Sequence, residues 1–314
     1  MRLPTRLHLV PATVLLAVAW AGAAPQPQPV PAGAARKPLL WKIEGGGLTA
    51  PSWLFGTIHL GGKDLTNLHP AATKAFAAAD AVYTEVPMDA ASVARSVNNH
   101  LRDDGTTLSG SIGERLALEL DTELKTIDPS LNLSPFEACK TWYLAVQLPR
   151  LRSQRAGETM LDATLWERAT AQGKQVAALE TDKSQADLLD ELKESDQVIL
   201  LAETLRQRRQ ERARNEDSVA QLRARYFSGD EQKLWEFFEK QLSDMGEHKE
   251  LGAWLVKRVV TDRNRSMART IAGRLAAAPD KTHFIAVGVA HLVGPASICQ
   301  ELAAKGYRVT RIHE

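Results

Sequence analysis

Hydrophobic and polar positions follow one period at the two ends of the chain and another in its middle. "LLWKIE" (39–44) and "SWLFGTI" (52–58) are strand-like, and the glycines of "GGGLTAP" between them predict a hairpin. "HPAATKAFAAADA" predicts an alanine-rich helix, and "AVYTEV" (81–86) a strand stopped by Pro87. Strand, helix, strand is the opening of an α/β unit. From "SGSIGERLALELDTELKTI" onward, apolar residues recur three or four apart. Ile112, Leu116, Leu120, Leu124 and Ile127 predict an amphipathic helix. "SPFEACKTWYLAVQL" predicts a second helix, with Ser134 as cap, Pro135 in the first turn and Glu137 closing a capping box. "TMLDATLWERATAQ" predicts a third, stopped by Gly173.

A short strand, "QVAAL", interrupts the helices and ends just before Glu180. Helices then resume to about residue 225, and "DEQKLWEFFEKQL" adds one more, capped near Gly229 or Asp230. The end returns to the first pattern: the helix "RNRSMARTIAGRLAA" with Met267, Ile271 and Leu275 on one face, the strand "THFIAVGVA", the helix "PASICQELAAKG" and the strand "YRVTRI". The expected fold is α/β (α+β), a central mixed sheet with a large, mostly helical insertion around residues 105–255. Trp142, Tyr143, Trp166, Trp235, Phe237, Phe238 and Trp254 fall in that insertion and are expected mostly between its helices.

The first residues change the picture of what folds. Arg2 and Arg6 precede the short apolar run "LVPATVLLAVAW", and "AGA" at 21–23 offers small residues for cleavage. This is the pattern of a secretory signal peptide over residues 1–23, too short for a stable membrane span. "PQPQPVPAGAARKP" follows as a Pro/Ala-rich leader over 24–38, leaving residues 39–314 as a single domain. The expected location is the bacterial periplasm or the medium, with no transmembrane span after cleavage.

Formal charge is +1 over 314 residues, which offers no broad basic surface for nucleic acid. The "RQRRQERARNED" stretch interleaves acids with its bases and reads as a solvated helix face. The only cysteines, Cys139 and Cys299, lack CxxC spacing; an exported chain could pair them in a disulfide or keep them as packed thiols.

The candidate chemistry lies at strand ends. "LFGTIH" ends in His59, "AVYTE" in Glu85, "QVAALE" in Glu180 and "FIAVGVAH" in His291. Open α/β sheets bind ligands outside the carboxyl ends of their strands. Gly56 and Gly288 each stand three residues before a histidine, where a glycine lets another group approach closely. Imidazoles and carboxylates are ordinary ligands for a water-activating divalent metal. His59 and His291 are the first-choice ligands; Glu85 completes the site or acts as general base, and Glu180 is the other candidate base. Arg263 is expected to clamp a substrate carboxylate or fix Glu85 or Glu180, with Thr57 and Thr181 donating hydrogen bonds at the rim. His69, His100 and His248 lack the glycine spacing and are expected on the surface or in loops, while His283 opens its strand at the end opposite His291. No HExxH is present.

These residues carry a resemblance. "LWKIE", "SWLFGTIHL", "YTEVPMD", "ALET", "DRNRSMA" and "FIAVGVAHLVGP" together resemble the TraB/GumN family, related to the TIKI proteins and more distantly to ChaN and erythromycin-esterase-like folds. The paired GxxH motifs and intervening glutamate match at Gly56–His59, Glu85 and Gly288–His291. The Arg-Asn-x-x-Met element is Arg263, Asn264 and Met267, and the Leu-Glu-Thr element is Leu179, Glu180 and Thr181. Since TIKI members are metal-dependent proteases of a secreted signalling protein, the resemblance implies a metallohydrolase acting on a peptide or protein, using manganese, cobalt, iron or zinc. The rival expectation, carried by the ChaN likeness, is a non-catalytic protein that binds a metal or a haem-like ligand. The sequence leaves the oligomeric state open.

Overall fold

Two strands, β1 (Leu40–Gly45) and β2 (Ser52–Thr57), form the expected hairpin, with Leu40 opposite Phe55 and Ile43 opposite Ser52. The computed structural model describes residues 37–313, so the expected signal peptide and the leader up to residue 36 lie outside the described residues. The remaining strands are β3 (Ala81–Thr84), β4 (Gln175–Ala178), β5 (His283–Gly288) and β6 (Tyr307–Arg311). They join into one six-stranded mixed sheet of order β4-β3-β5-β2-β1-β6. The run from β4 to β2 is parallel; β1 pairs antiparallel with both β2 and β6.

Alternation along the strands divides the core. Trp41, Leu54, Tyr83, Ile285 and Val287 face a cluster with Tyr226, Phe238, Met267, Ile271 and Leu302. Their neighbours Leu40, Phe55, Val82, Phe284 and Ala286 face the opposite cluster, with Phe76, Leu161, Leu165 and Ala169. A period of two places one side chain on each face in turn, so the sheet is covered on both sides. A third cluster, with Leu116, Leu120, Leu124, Trp142, Leu201 and Val260, lies within the helical part.

Local expectations hold at most elements and fail at two for identifiable reasons. The amphipathic stretch is two helices, Leu108–Ile112 and Glu114–Ile127, because Gly113 takes a positive φ of 79° between them. The next helix is Thr141–Gln147, not one begun by Ser134; residues Ser134–Phe136 form only a 3₁₀ turn. Glu137 instead accepts the backbone N–H and hydroxyl of Ser109, both at 3.0 Å. Asp230 does cap Glu231–Ser243, accepting from the Lys233 N–H.

Cys139 and Cys299 are free thiols, which corrects the disulfide considered from sequence. Cys139 belongs to the helical core, whereas Cys299 packs against the cluster on the sheet. His100 is also buried rather than at the surface, stacked on Tyr143 with ring centroids 4.9 Å apart. His69 caps Pro70–Ala78, accepting from the Ala71 N–H. Among the described residues no helix is long and apolar enough to cross a membrane.

Candidate active site

Parallel pairing puts the carboxyl ends of β2, β3, β4 and β5 on one edge of the sheet. Thr57 is in register with Gly288, and Thr84 with Ala178. The residues just beyond those ends are His59, Glu85, Glu180 and His291. The sequence separates them widely, and the strand order gathers them.

Glu85 is the centre. Its Oε1 accepts the Gly288 N–H at 2.6 Å and lies 3.4 Å from His59 Nε2 and 3.8 Å from His291 Nε2. Its Oε2 accepts from Arg263 Nη2. The same guanidinium reaches Glu180 Oε2 through Nε at 3.0 Å and Nη2 at 2.7 Å, and Gln185 donates to that oxygen at 3.1 Å. Arg263 therefore forks between two carboxylates, a task its planar donors suit better than a lysine ammonium would. Arg263 and Asn264 open the helix Arg263–Ala277 directly after a π-helical turn, Val256–Asp262. Such widened turns recur at functional sites.

Each imidazole is held from behind. Asn264 donates through Nδ2 to the Ala296 carbonyl at 2.8 Å, which turns its Oδ1 toward His291 Nδ1 at 2.6 Å. An amide oxygen only accepts, so Nδ1 carries the proton and Nε2 the lone pair. His59 Nδ1 lies 3.1 Å from Asp162 Oδ1, which also accepts the Thr57 hydroxyl at 2.9 Å. His59 itself sits at a positive φ of 50°. That left-handed conformation costs a non-glycine residue about 1–2 kcal/mol.

The two rings differ in charge because their partners differ. Burial opposes the charged form of His59, but the Asp162 carboxylate and then Glu85 outweigh it and raise its pKa to about 9. Burial pushes His291 down to about 3; its rear partner is a neutral amide, and Arg263 and His59 add repulsion. Burial alone would raise the Glu85 carboxyl, yet the Arg263 guanidinium and the protonated His59 ring hold it well below the usual carboxylate range. Since His291 stays neutral at physiological pH, the cations beside Glu85 are Arg263 and His59. Burial also opposes the charge of Arg263, but Glu180 and Glu85 keep it protonated more firmly than usual.

The two motif glycines do different work. A Cβ on Gly288 would stand 2.3 Å from His59 Nε2 and 3.2 Å from Glu85 Oε1. A Cβ on Gly56 would meet Val289 Cγ2 at 2.9 Å and Leu39 Cβ at 3.3 Å. Gly288 keeps the site open for the imidazole, whereas Gly56 allows close packing behind it.

A cavity of about 20 Å³ borders His59, Gly288 and His291, with Ile58, Phe238, Val259, Val260, Val289 and Ala290 as its apolar walls. That is room for one water or one ion. The back-held imidazoles and this space fit an ion in donor chemistry. Among the described residues, however, no three His, Cys, Asp or Glu side chains stand in a ready metal cage. Glu85 is committed instead to Arg263 and the Gly288 N–H.

Of the residues expected from sequence, Thr57, His59, Glu85, Arg263, Asn264, Gly288 and His291 come together, with Glu180 joined through Arg263. Thr181 is used differently: it is exposed and caps the helix Asp182–Asp190, accepting from the Ser184 N–H at 3.0 Å. Asp162 was not among the expected residues. It lies in the first turn of Leu161–Ala171, and "MLDATLW" carries no local mark of a functional carboxylate.

The description TraB/PrgY/gumN family matches residues 39–311. The chain is 25% identical to Metalloprotease TIKI2 of Danio rerio over 86% of its own length and 60% of that protein's. It is 24% identical to Metalloprotease TIKI1 of Danio rerio over 86% of this chain and 62% of the relative. Metalloprotease TIKI2 of Xenopus tropicalis is 24% identical, covering 82% of this chain and 57% of the relative. This chain thus spans about 60% of the length of such relatives. No solved structure matches it. With almost the whole described chain inside the family match, this protein belongs to the TraB/PrgY/gumN family.

Proposed function

We propose that this chain is an exported metal-dependent hydrolase of peptide bonds. The observation that carries the reading is the convergence of two back-held imidazoles, His59 and His291, on Oε1 of Glu85. Their Nε2 atoms, with the Glu85 carboxylate, would hold a divalent ion. The ion would lower the pKa of a water and polarise a scissile carbonyl. The likeness to proteins named metalloproteases supports the same class of reaction and a protein or peptide substrate.

The chain's own groups have distinct tasks in this reading. Asn264 fixes the tautomer of His291. His59 carries a proton that must leave Nε2 before that atom binds an ion. Arg263 keeps Glu85 anionic and aligns it, while Glu180 anchors Arg263 from the other side. Oε1 of Glu85 either binds the ion or accepts a proton from water. The export expectation rests on the first 23 residues alone.

The second reading is retention of a metal without turnover. The small cavity, about 20 Å³, favours an ion over a haem-like ligand, since ligand clefts commonly measure about 300–1,000 Å³. The deciding experiment is metal analysis of gently purified protein followed by a peptide-library screen with manganese, cobalt, iron and zinc. The proposal expects stoichiometric metal and metal-dependent cleavage. Metal retention with no cleavage under any of the four would favour the binding reading. A Glu85→Gln variant that binds metal but does not cleave assigns proton transfer to Glu85; one that loses metal makes it a ligand.

A further inference from the structure

We propose that Asp162 is the positioning residue of His59, holding the Nδ1 proton so that the Nε2 lone pair points into the site. The inference deepens the metal-site reading and rests on it for its consequence, though not for its geometry. Asp162 is almost fully buried, at 1% exposure, and its Oδ1 faces both the Thr57 hydroxyl and His59 Nδ1. The Thr57 hydroxyl donates to Asp162, and its oxygen lies 3.3 Å from His59 Nδ1, so the ring proton faces the Asp162 carboxylate at 3.1 Å with the Thr57 oxygen beside it. Carboxylates in this place behind a metal-binding imidazole fix the ring and raise its donor strength.

The fold holds Asp162 there by independent means. Gly61 and Met160 form an antiparallel bridge, and the Leu161 N–H donates to the Leu60 carbonyl at 3.0 Å. The stretch just after His59 is thus tied to the stretch just before Asp162. Leu161, Leu165 and Ala169, all fully buried, fix the helix face below. The helix N-terminus favours a carboxylate in its first turn, and the buried Arg150 supplies positive charge nearby. His59 keeps its left-handed backbone within this frame. The arrangement parallels Asn264 behind His291, with a carboxylate in place of an amide.

The test uses full-length protein labelled with ¹⁵N-histidine, with the ring signals of His59 assigned by their loss in His59→Gln. A carboxylate-bound Nδ1 proton should appear far downfield and exchange slowly, in both the metal-free and the zinc-loaded protein. Asp162→Asn should move that proton upfield and weaken zinc binding by about 10–100-fold, with the circular dichroism unchanged. An absent downfield proton in the parent overturns the proposal. So does an Asp162→Asn variant with the signal and zinc affinity of the parent. Should Asp162→Asn fail to fold, Thr57→Val decides: the signal must survive there, because Asp162 remains as acceptor, and its loss would give the role to Thr57. A parent that shows the signal but binds no zinc would sink the metal reading while leaving the positioning role standing.

Discussion

At the scale of single residues, the site depends on two histidines that look alike in sequence and differ in charge. Replacing His59 or His291 with alanine removes a donor atom. The expected loss of zinc affinity exceeds the roughly 10–100-fold typical of losing only an orienting partner. Calorimetric titration, paired with circular dichroism to exclude unfolding, checks this; folded variants that bind as tightly as the parent would refute the ligand assignment. Proton traffic separates the two rings. His59 has its pKa raised to about 9, so at pH 7 it must lose a proton when an ion takes Nε2. His291, pushed down to about 3, is already neutral. Zinc affinity should therefore fall about tenfold for each pH unit below 9, and binding at pH 7 should release about one proton. Titration in buffers of different ionisation enthalpy measures that release, and a value near zero would contradict it. The linkage runs the opposite way for the metal-free fold. A pKa raised above the unfolded value stabilises fully below about pH 6.5 and loses that contribution as the pH climbs through 9.

At the scale of elements, strand ends explain both what the sequence reveals and what it hides. Apolar runs closed by a histidine or glutamate made His59, Glu85, Glu180 and His291 legible, because a strand's end is written locally. Asp162 was hidden because it sits on a helix and meets Thr57 across 105 residues of chain. Thr181 misled for the opposite reason: a threonine after a strand is also a helix cap, and the Ser184 N–H claims it. Ser134 and Glu137 matched a capping box in spacing, yet Glu137 accepts from the distant Ser109. The paired glycines illustrate the limit well, since the same GxxH spacing serves two purposes. Gly288→Ala pushes a methyl against His59 Nε2, so metal affinity should fall on the order of tenfold or more. Gly56→Ala crowds Val289 and Leu39, so it should cost about 1–3 kcal/mol of stability and leave affinity nearly unchanged. Denaturant unfolding and zinc titration of both variants test the division; equal effects on affinity would show that the spacing has one meaning.

At the scale of the whole molecule, the outer α/β segments and the helical middle were readable from period, but the strand order was not. Nothing in "FIAVGVAH" announces that β5 lies between β2 and β3, and that placement is what brings His291 to His59. The middle is also not a simple insertion, since β4 returns to the sheet within it and delivers Glu180. If the first 23 residues direct export, intact-mass analysis of protein from a bacterial envelope should find them removed near Ala23 or Ala24; a full-length cytoplasmic product would refute it. What the middle does for the site follows from its position. Phe238 of Glu231–Ser243 and Val259 and Val260 of the π-helical turn wall the cavity, each no more than 3% exposed. A space of about 20 Å³ holds an ion or a water. These residues cover one side of that space, so their bulk is expected to slow the exit of a bound ion to a chelator in solution. Thinning the cover without touching a donor atom should speed that exit while leaving equilibrium binding alone. Val259→Ala and Phe238→Leu are the suitable changes, each removing apolar contact at the wall and none of the polar network. Stopped-flow transfer of zinc from the loaded protein to a chelator should be severalfold faster in both, with calorimetric affinity close to the parent's. Unchanged release in two folded variants would mean that ions leave by another route. The helical middle would then owe its place to packing alone.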